Sequence, residues 1–277
     1  MSMHSVDIKL ENVCANEVLQ YPVIFIRGII RCKEVCNEGL LKGKISVLVA
    51  SDLFEFNVLD GRFKCIIELK LGPNFLKITY DNNLHSGQTA LTLVRRSNFC
   101  DNVLKLVYII PNGDLGNFQC DGTGSNTAKN ACEKIVTGVK LLQCLVAERL
   151  HEQGLGRKTF SIFSQNGKEI CEVFHSQHSK QEFFSCTSEE IWSMTARELL
   201  GKGIFVQGVK VLAFLSCTEY FKEFNETKGY VACGRGHLAM ISSLGLHSWA
   251  SSVNSVLSFL TSKVPIDSSL LDDSGFR

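Results

Sequence analysis

No stretch of this 277-residue chain approaches the ~18–20 consecutive apolar residues of a membrane span. The longest apolar runs, residues 23–30 and 209–215, are strand-sized, and Arg27 interrupts the first. An excess of charge is missing too: 29 Lys and Arg face 28 Asp and Glu, for a net charge of +1. Such a balance sets up no long-range field for a polyanion, and the basic pair Arg95-Arg96 reads as a solvated turn, so no nucleic-acid partner is expected. Twelve cysteines contain no Cys-x-x-Cys, the nearest pair being Cys32-x-x-x-Cys36, and their scatter argues against a disulfide framework. The opening MSMHSVDIKLENV carries Asp7, Lys9 and Glu11 where a signal peptide needs an apolar centre. These absences predict a cytoplasmic protein whose cysteines are reduced and act as small buried hydrophobes, and in which the sequon Asn225-Glu226-Thr227 goes unused.

Catalytic motifs are equally scarce. No Gly-x-Ser-x-Gly occurs, and Ser243-Leu244-Gly245 lacks the elements of a nucleophile elbow. The glycines of Gly201-Lys202-Gly203 and Gly234-Arg235-Gly236 are too few for a phosphate loop.

What is present is ordinary globular composition, 45% hydrophobic and 21% charged. Over residues 1–102 short runs rich in Val, Ile and Phe (24–30, 45–50, 63–69, 75–80 and 90–94) alternate with Asp60-Gly61, Gly72-Pro73-Asn74, Asp81-Asn82-Asn83 and Ser86-Gly87. That spacing predicts a small β-sandwich. Gly61-Arg62-Phe63, Leu69 and Gly72-Pro73-Asn74 resemble a strand-and-turn pattern of immunoglobulin-like modules. From Val103 the texture changes: an apolar strand to Ile110, then a helix over 126–151 with apolar residues at three- and four-residue steps. Asn166-Gly167 marks a hairpin, Thr187-Ser188-Glu189-Glu190 a capping box for a helix to Leu200, and 209–215 and 238–241 are strands. Residues 103–277 therefore read as a mixed α/β domain.

Three groups could in principle hold a metal. His151-Glu152-Gln153-Gly154-Leu155 has leucine where a zinc helix places its second histidine, and it sits at a glycine-terminated helix end. His175-x-x-His178, with Cys171 before it, lies at a strand end with no third ligand nearby. Cys233-x-x-x-His237 with His247 matches no metal template and reads better as a glycine-rich turn into a strand. No metal and no catalytic residue is expected among these.

Four ordered blocks nonetheless resemble a eukaryotic family of putative zinc metallopeptidases. They are Tyr21-Pro22-Val23 with Asp60-Gly61-Arg62-Phe63-Lys64; Leu106-Val107-Tyr108-Ile109-Ile110-Pro111 with Gly116-Asn117-Phe118-Gln119-Cys120; Gly138-Val139-Lys140-Leu141-Leu142-Gln143 with Ala147-Glu148-Arg149-Leu150 and Gly154-Leu155-Gly156-Arg157-Lys158-Thr159-Phe160; and the closing 229–249 block with Val264-Pro265-Ile266-Asp267 and Leu271-Asp272-Asp273-Ser274. The resemblance implies an immunoglobulin-like sandwich over 1–102. It also implies, over 103–277, an incomplete zincin-like α/β domain, a mixed sheet with a long backing helix. It implies zinc-dependent peptide hydrolysis in the full-length family, a peptide or protein substrate, and an inactive fragment here. The family's His-Glu-x-x-His is absent, and the end at Arg277 reads as a partial gene model or a truncated isoform. Gly236, His237, Leu238, Ala239, Met240 and Ile241 would form an edge strand beside the substrate. The alternative is a noncatalytic protein-binding module that uses the sandwich or that exposed strand.

Overall fold

Along Gly72–Asp81, Asn74, Leu76, Ile78 and Tyr80 are buried while Phe75 and Lys77 face solvent. This alternation is the signature of a strand with one covered face. The computed structural model describes residues 4–32, 41–97, 103–120, 125–205, 207–248, 251–253 and 256. It opens with eight such strands: β1 (His4–Leu10), β2 (Glu17–Leu19), β3 (Val23–Cys32), β4 (Gly43–Val49), β5 (Asp52–Leu59), β6 (Arg62–Glu68), β7 (Gly72–Asp81) and β8 (His85–Arg95). Seven of them run β1-β3-β6-β5-β4-β7-β8, and β8 pairs with β1 again, so the sheet closes; β2 lies parallel to β8 outside that circuit.

The expected open sandwich is thus a closed seven-stranded barrel. Two short seams make the difference. At one, β1 and β8 pair in parallel through His4↔His85 and Ser5↔Ser86; at the other, β5 and β6 pair only at Val58↔Phe63 and Leu59↔Arg62. The first seam depends on glycine. A Cβ at Gly87 would stand 2.4 Å from the Val6 carbonyl oxygen, and one at Gly28 would stand 2.9 Å from the Lys9 carbonyl oxygen. Without those two glycines β1 has no room between its neighbours.

The strand β9 (Val103–Asn112) is of another kind, buried continuously from Leu106 to Pro111. It is followed by α1 (Ala128–Glu152), β10 (Ser161–Ile162), the hairpin β11 (Ser164–Gln165) and β12 (Lys168–Glu169), and β13 (Cys171–Ser179). Then come α2 (Lys180–Ser185), α3 (Ser188–Gly201), β14 (Val209–Leu215), a small ribbon β15 (Glu219–Phe221) and β16 (Glu226–Lys228), β17 (Ala232–Arg235) and β18 (Leu238–Ser242). In the second sheet β9 is flanked by β10 and β13 on one side and by β14 on the other, with β18 and then β17 beyond β14. Only β17 runs antiparallel to its neighbour.

Leu106, Tyr108 and Ile110 of β9 pack with Ala131, Ile135 and Val139 of α1. Val107 and Ile109 face the opposite way, onto Phe183 of α2 and Ile191 and Leu199 of α3. A strand apolar on both faces needs cover on both, and helices supply it on each side. The expected zincin-like domain, a sheet backed by one long helix, is therefore not what forms, and the protein is mostly β: eighteen strands accompany three α-helices among the described residues.

Local signals behave as their chemistry predicts. Asn166 and Gly167 take φ of 52° and 75°, as a two-residue hairpin turn demands. Thr187 and Glu190 form the reciprocal capping box of α3, and Ser179 with Glu182 does the same for α2.

The chain divides into two compact units. One holds the barrel with Gln143–Thr159, and the other holds Phe99–Leu142 with Phe160–Phe259. In the barrel unit the end of α1 is tied down by a buried ionic cluster. Arg157 Nε donates to Glu148 Oε1 at 2.7 Å, with 6% and 8% of the two side chains exposed, and its other nitrogens reach Glu17 and the Asn12 carbonyl. Asn12 Nδ2 and the Tyr21 hydroxyl each donate to Glu148 at 3.0 Å. Burial opposes the Arg157 charge, but the hydrogen bond and charge of Glu148, with Tyr21 and Glu17, outweigh it and raise its pKa. The Tyr21 hydroxyl is raised as well, by burial first and then by the Glu148 charge.

The cysteines need one correction. Nine among the described residues are free thiols, but Cys32 is disulfide-bonded, so not all of them are reduced. None of the described helices is long and apolar enough to cross a membrane.

Candidate functional site

A protein zinc site needs three or four N, S or O ligands converging on one point. Among the described residues no group of three or more His, Cys, Asp or Glu is placed to do so. His151 is exposed in the last turn of α1, next to Glu152, which pairs with Arg27 at 3.0 Å. His175 is exposed on β13, while His178 Nδ1 sits 3.3 Å from Glu182 and its ring meets Phe183 edge-on. Cys233 packs into the core between the sheet and α3, and His237 lies exposed at the β17–β18 turn. The side chain of His247, and the closing blocks Val264-Pro265-Ile266-Asp267 and Leu271-Asp272-Asp273-Ser274, lie outside the described residues. The described residues do not fit a zinc ion.

Nucleophiles fare no better. Cys217, after β14, is buried, and burial followed by the Asp114 charge pushes its thiol up to about 12. A sulfur that holds its proton at neutral pH is a poor nucleophile. Burial likewise raises Cys65 and Cys144.

The six residues expected to line a substrate do come together, but not as an edge. Leu238–Ser242 pairs with β14 on one side, through Val211↔Leu238 to Leu215↔Ser242, and with β17 on the other, through Arg235↔Leu238 to Ala232↔Ile241. The edge is β17. The reason is the turn before β18: Gly236, at φ 59°, folds the chain back so that Ala232–Arg235 covers the side of β18 that would have been open. Leu238 and Met240 point into the core beneath α3, where Trp192 Nε1 donates to the Leu238 carbonyl at 3.2 Å. Ile241 is exposed.

Next to this hairpin lies a depression of about 320 Å³. Leu104, Leu212 and Ala239 give it an apolar floor, Gly234 and Gly236 leave its rim uncrowded, and Lys210 brings positive charge. Lys210 Nζ donates to the Gly236 carbonyl at 3.1 Å, which holds it at the rim, whereas Arg235 pairs with Glu189 of α3 at 2.5 Å. The outer side of β17 is partly used, since the Ala232 N–H donates to Ser188 Oγ at 3.2 Å. Sequence reasoning missed Leu104, Lys210 and Leu212. Only the parallel registers Lys210↔Leu104 and Leu212↔Ala239 bring them beside the hairpin, and no spacing along the chain announces them.

Residues 7–277 match the model of the family Metallopep, described as a putative peptidase family. Among curated proteins none matches the chain. Among solved structures, the endo-β-1,4-mannanase of Thermotoga petrophila aligns at 10% identity and a TM-score of 0.28, over 34% of this chain and 20% of that one. Fibronectin(III)-like modules of Clostridium thermocellum CbhA align at 8% identity and 0.28, over 35% of this chain and 50% of theirs. The sulfur carrier protein SoxY of Chlorobium limicola f thiosulfatophilum aligns at 11% identity and 0.22, over 34% and 86%. The chain thus spans a fifth of the mannanase and half of the CbhA modules, and at these TM-scores the likenesses carry no argument.

Proposed function

This chain belongs to Metallopep, the family described as a putative peptidase family, and from that premise we propose that it serves peptide-bond hydrolysis by a zinc enzyme as the part that holds an extended peptide. The observation that carries the proposal is the family match, which runs along nearly the whole chain. Since the described residues do not fit zinc, the 277-residue chain itself is proposed to bind without cleaving. The peptide-binding place is the β17–β18 hairpin with its depression, which includes Gly236, His237, Leu238 and Ala239; Met240 and Ile241 continue the same strand. An apolar side chain suits the floor of Leu104, Leu212 and Ala239, and an acidic neighbour suits Lys210. A cytoplasmic location, with peptides or proteins as partners, is part of the same proposal.

The test is to pass a casein digest over the immobilised chain and to assay metal content and cleavage in parallel. Expected are retention of peptides that combine an apolar and an acidic residue, loss of that retention in Ala239→Trp, which fills the depression, and neither stoichiometric zinc nor chelator-sensitive cleavage. Zinc-dependent cleavage by the chain would sink the second half of the proposal, and no retention of any peptide would sink the first.

A further inference from the structure

Strands β5 and β6 part company as they run out from their Asp60-Gly61 turn. They pair at Leu59↔Arg62 and Val58↔Phe63 and not beyond. On its other side β6 is held by β3 from Arg62 to Glu68, and β5 by β4 from Asp52 to Val58. Residues 52–56 therefore form one wall of a wedge whose other wall is β6. The inward-facing row of β5 records the opening: Val58 and Phe56 are 3% and 6% exposed, whereas Phe54, on the same face, is only half-buried. At the wide end lies a depression of about 330 Å³. It takes in Asp52 and Phe54 of β5 and Glu68 of β6, with Lys70 just after β6 and Leu48, Pro73 and Phe75 beside them.

The backbone of β5 is open there as well. Val49 and Asp52 close the β4–β5 hairpin as a hydrogen-bonded pair, so the residues of β5 that bond to β4 are Asp52, Phe54, Phe56 and Val58. Leu53 and Glu55 point their N–H and C=O groups into the wedge, where neither a strand nor any other described residue bonds them.

We propose that this wedge is a strand-addition site for an extended peptide, which pairs with the open edge of β5 and sets an apolar side chain into the depression. Unpaired donors and acceptors along a strand edge are matched by another backbone. Half-buried Phe54, with Leu48, Pro73 and Phe75 around it, is matched by an apolar side chain. Asp52 and Lys70 are both exposed, and neither is in an ion pair with a described residue. A basic and an acidic residue flanking the apolar one therefore complete the fit. A second copy of the chain fits less well, because its own β5 edge is walled by its own β6, whereas a lone strand has nothing on its far side. The open edge over residues 52–56 spans about 17 Å, the length of a short peptide strand. This site is separate from the β17–β18 depression and does not depend on it.

The probe is a fluorescein-labelled peptide, Thr-Lys-Leu-Glu-Val-Thr, whose apolar residues alternate with polar ones as on a strand with one covered face. Titrated with the full chain, it should bind saturably by fluorescence anisotropy, and amide hydrogen exchange followed by NMR should slow at Leu53 and Glu55. The same peptide N-methylated throughout should bind about tenfold more weakly or worse, since it cannot donate to the β5 carbonyls. Leu53→Pro removes one wedge-facing N–H and leaves the β4–β5 bonds in place, so it should weaken binding while thermal unfolding stays nearly unchanged. Ala239→Trp should leave binding of this probe as it was. The proposal is overturned if the probe does not bind at millimolar concentration, if it binds without slowing exchange at Leu53 and Glu55, or if the N-methylated peptide binds equally. It is also overturned if those two amides are already protected in a dimer of the chain without peptide. Exchange in the unsubstituted protein decides the matter, so misfolding of a variant does not.

Discussion

Strands β7 and β9 are each ten residues long, and each has a sheet neighbour on both sides, yet their sequences differ because different numbers of their faces are covered. β7 hides alternate side chains in the barrel and leaves Phe75 61% exposed. β9 buries five apolar residues in a row, Leu106 to Ile110, between α1 on one face and α2 with α3 on the other. The contrast teaches where each unit is vulnerable. The barrel depends on closure at thin seams and on a buried ionic anchor beneath α1. The sheet unit depends on apolar contact with helices.

The sharpest way to break the barrel side of this comparison is to remove the Arg157 guanidinium. Arg157→Ala leaves Glu148 charged and buried with only the Asn12 and Tyr21 donors, and stripping one partner from a buried pair costs about 3–5 kcal/mol. Urea unfolding followed by circular dichroism should register that loss, and a loss below about 1 kcal/mol would mean that the cluster is solvated like a surface pair. On the sheet side, Leu106→Ala opens a cavity between β9 and α1 and should cost about 2–5 kcal/mol in the same measurement. Closure is tested by Gly87→Ala. The new Cβ meets the Val6 backbone, which cannot rotate away, so a cost of about 1–3 kcal/mol is expected. Gly201→Ala, where nothing lies within 4 Å of the added carbon, should be neutral or slightly stabilising. If the two glycine variants behave alike, the β1–β8 seam does not hold the barrel shut.

The smallest effect is a matter of pH. Hydrogen bonds from the Ser179 backbone and hydroxyl, then from His178, hold the exposed Glu182 carboxylate at about 2, below its ordinary 4.5. A depressed pKa in the folded state stabilises above the unfolded value and loses that contribution as pH falls through the folded one. The cap of α2 should therefore survive at pH 5 and be lost between pH 4.5 and about 2. A carboxyl-carbon NMR titration of Glu182 reads this directly, and a midpoint near 4.5 would exclude the capping bonds in solution.

Much of the fold was legible in the chain. The apolar periodicity over 126–151 corresponds to α1 within two residues at either end, and the Thr187 capping box opens α3 where expected. Of the seven barrel strands two escaped, β1 and β5, and each contributes to one of the two seams that turn a sandwich into a barrel. β1 hides only Val6 among its seven residues, too little apolar pattern to be seen. A clue did exist in Gly28, an isolated glycine inside an apolar strand, which signals close approach of another backbone. The candidate site was legible as a hairpin turn, Gly234-Arg235-Gly236, but not as a depression, because its floor comes from β9 and β14.

Helices, caps, turns and strand faces were written in the residues themselves, since each is decided by neighbours a few positions apart: a capping box spans three residues and a hairpin turn two. Closure of the barrel, burial of Arg157 against Asn12 145 positions away, and the covering of β18 by β17 belong to the folded chain alone. Those contacts follow from which backbones can approach and which charges must be neutralised once buried, and a local pattern carries neither.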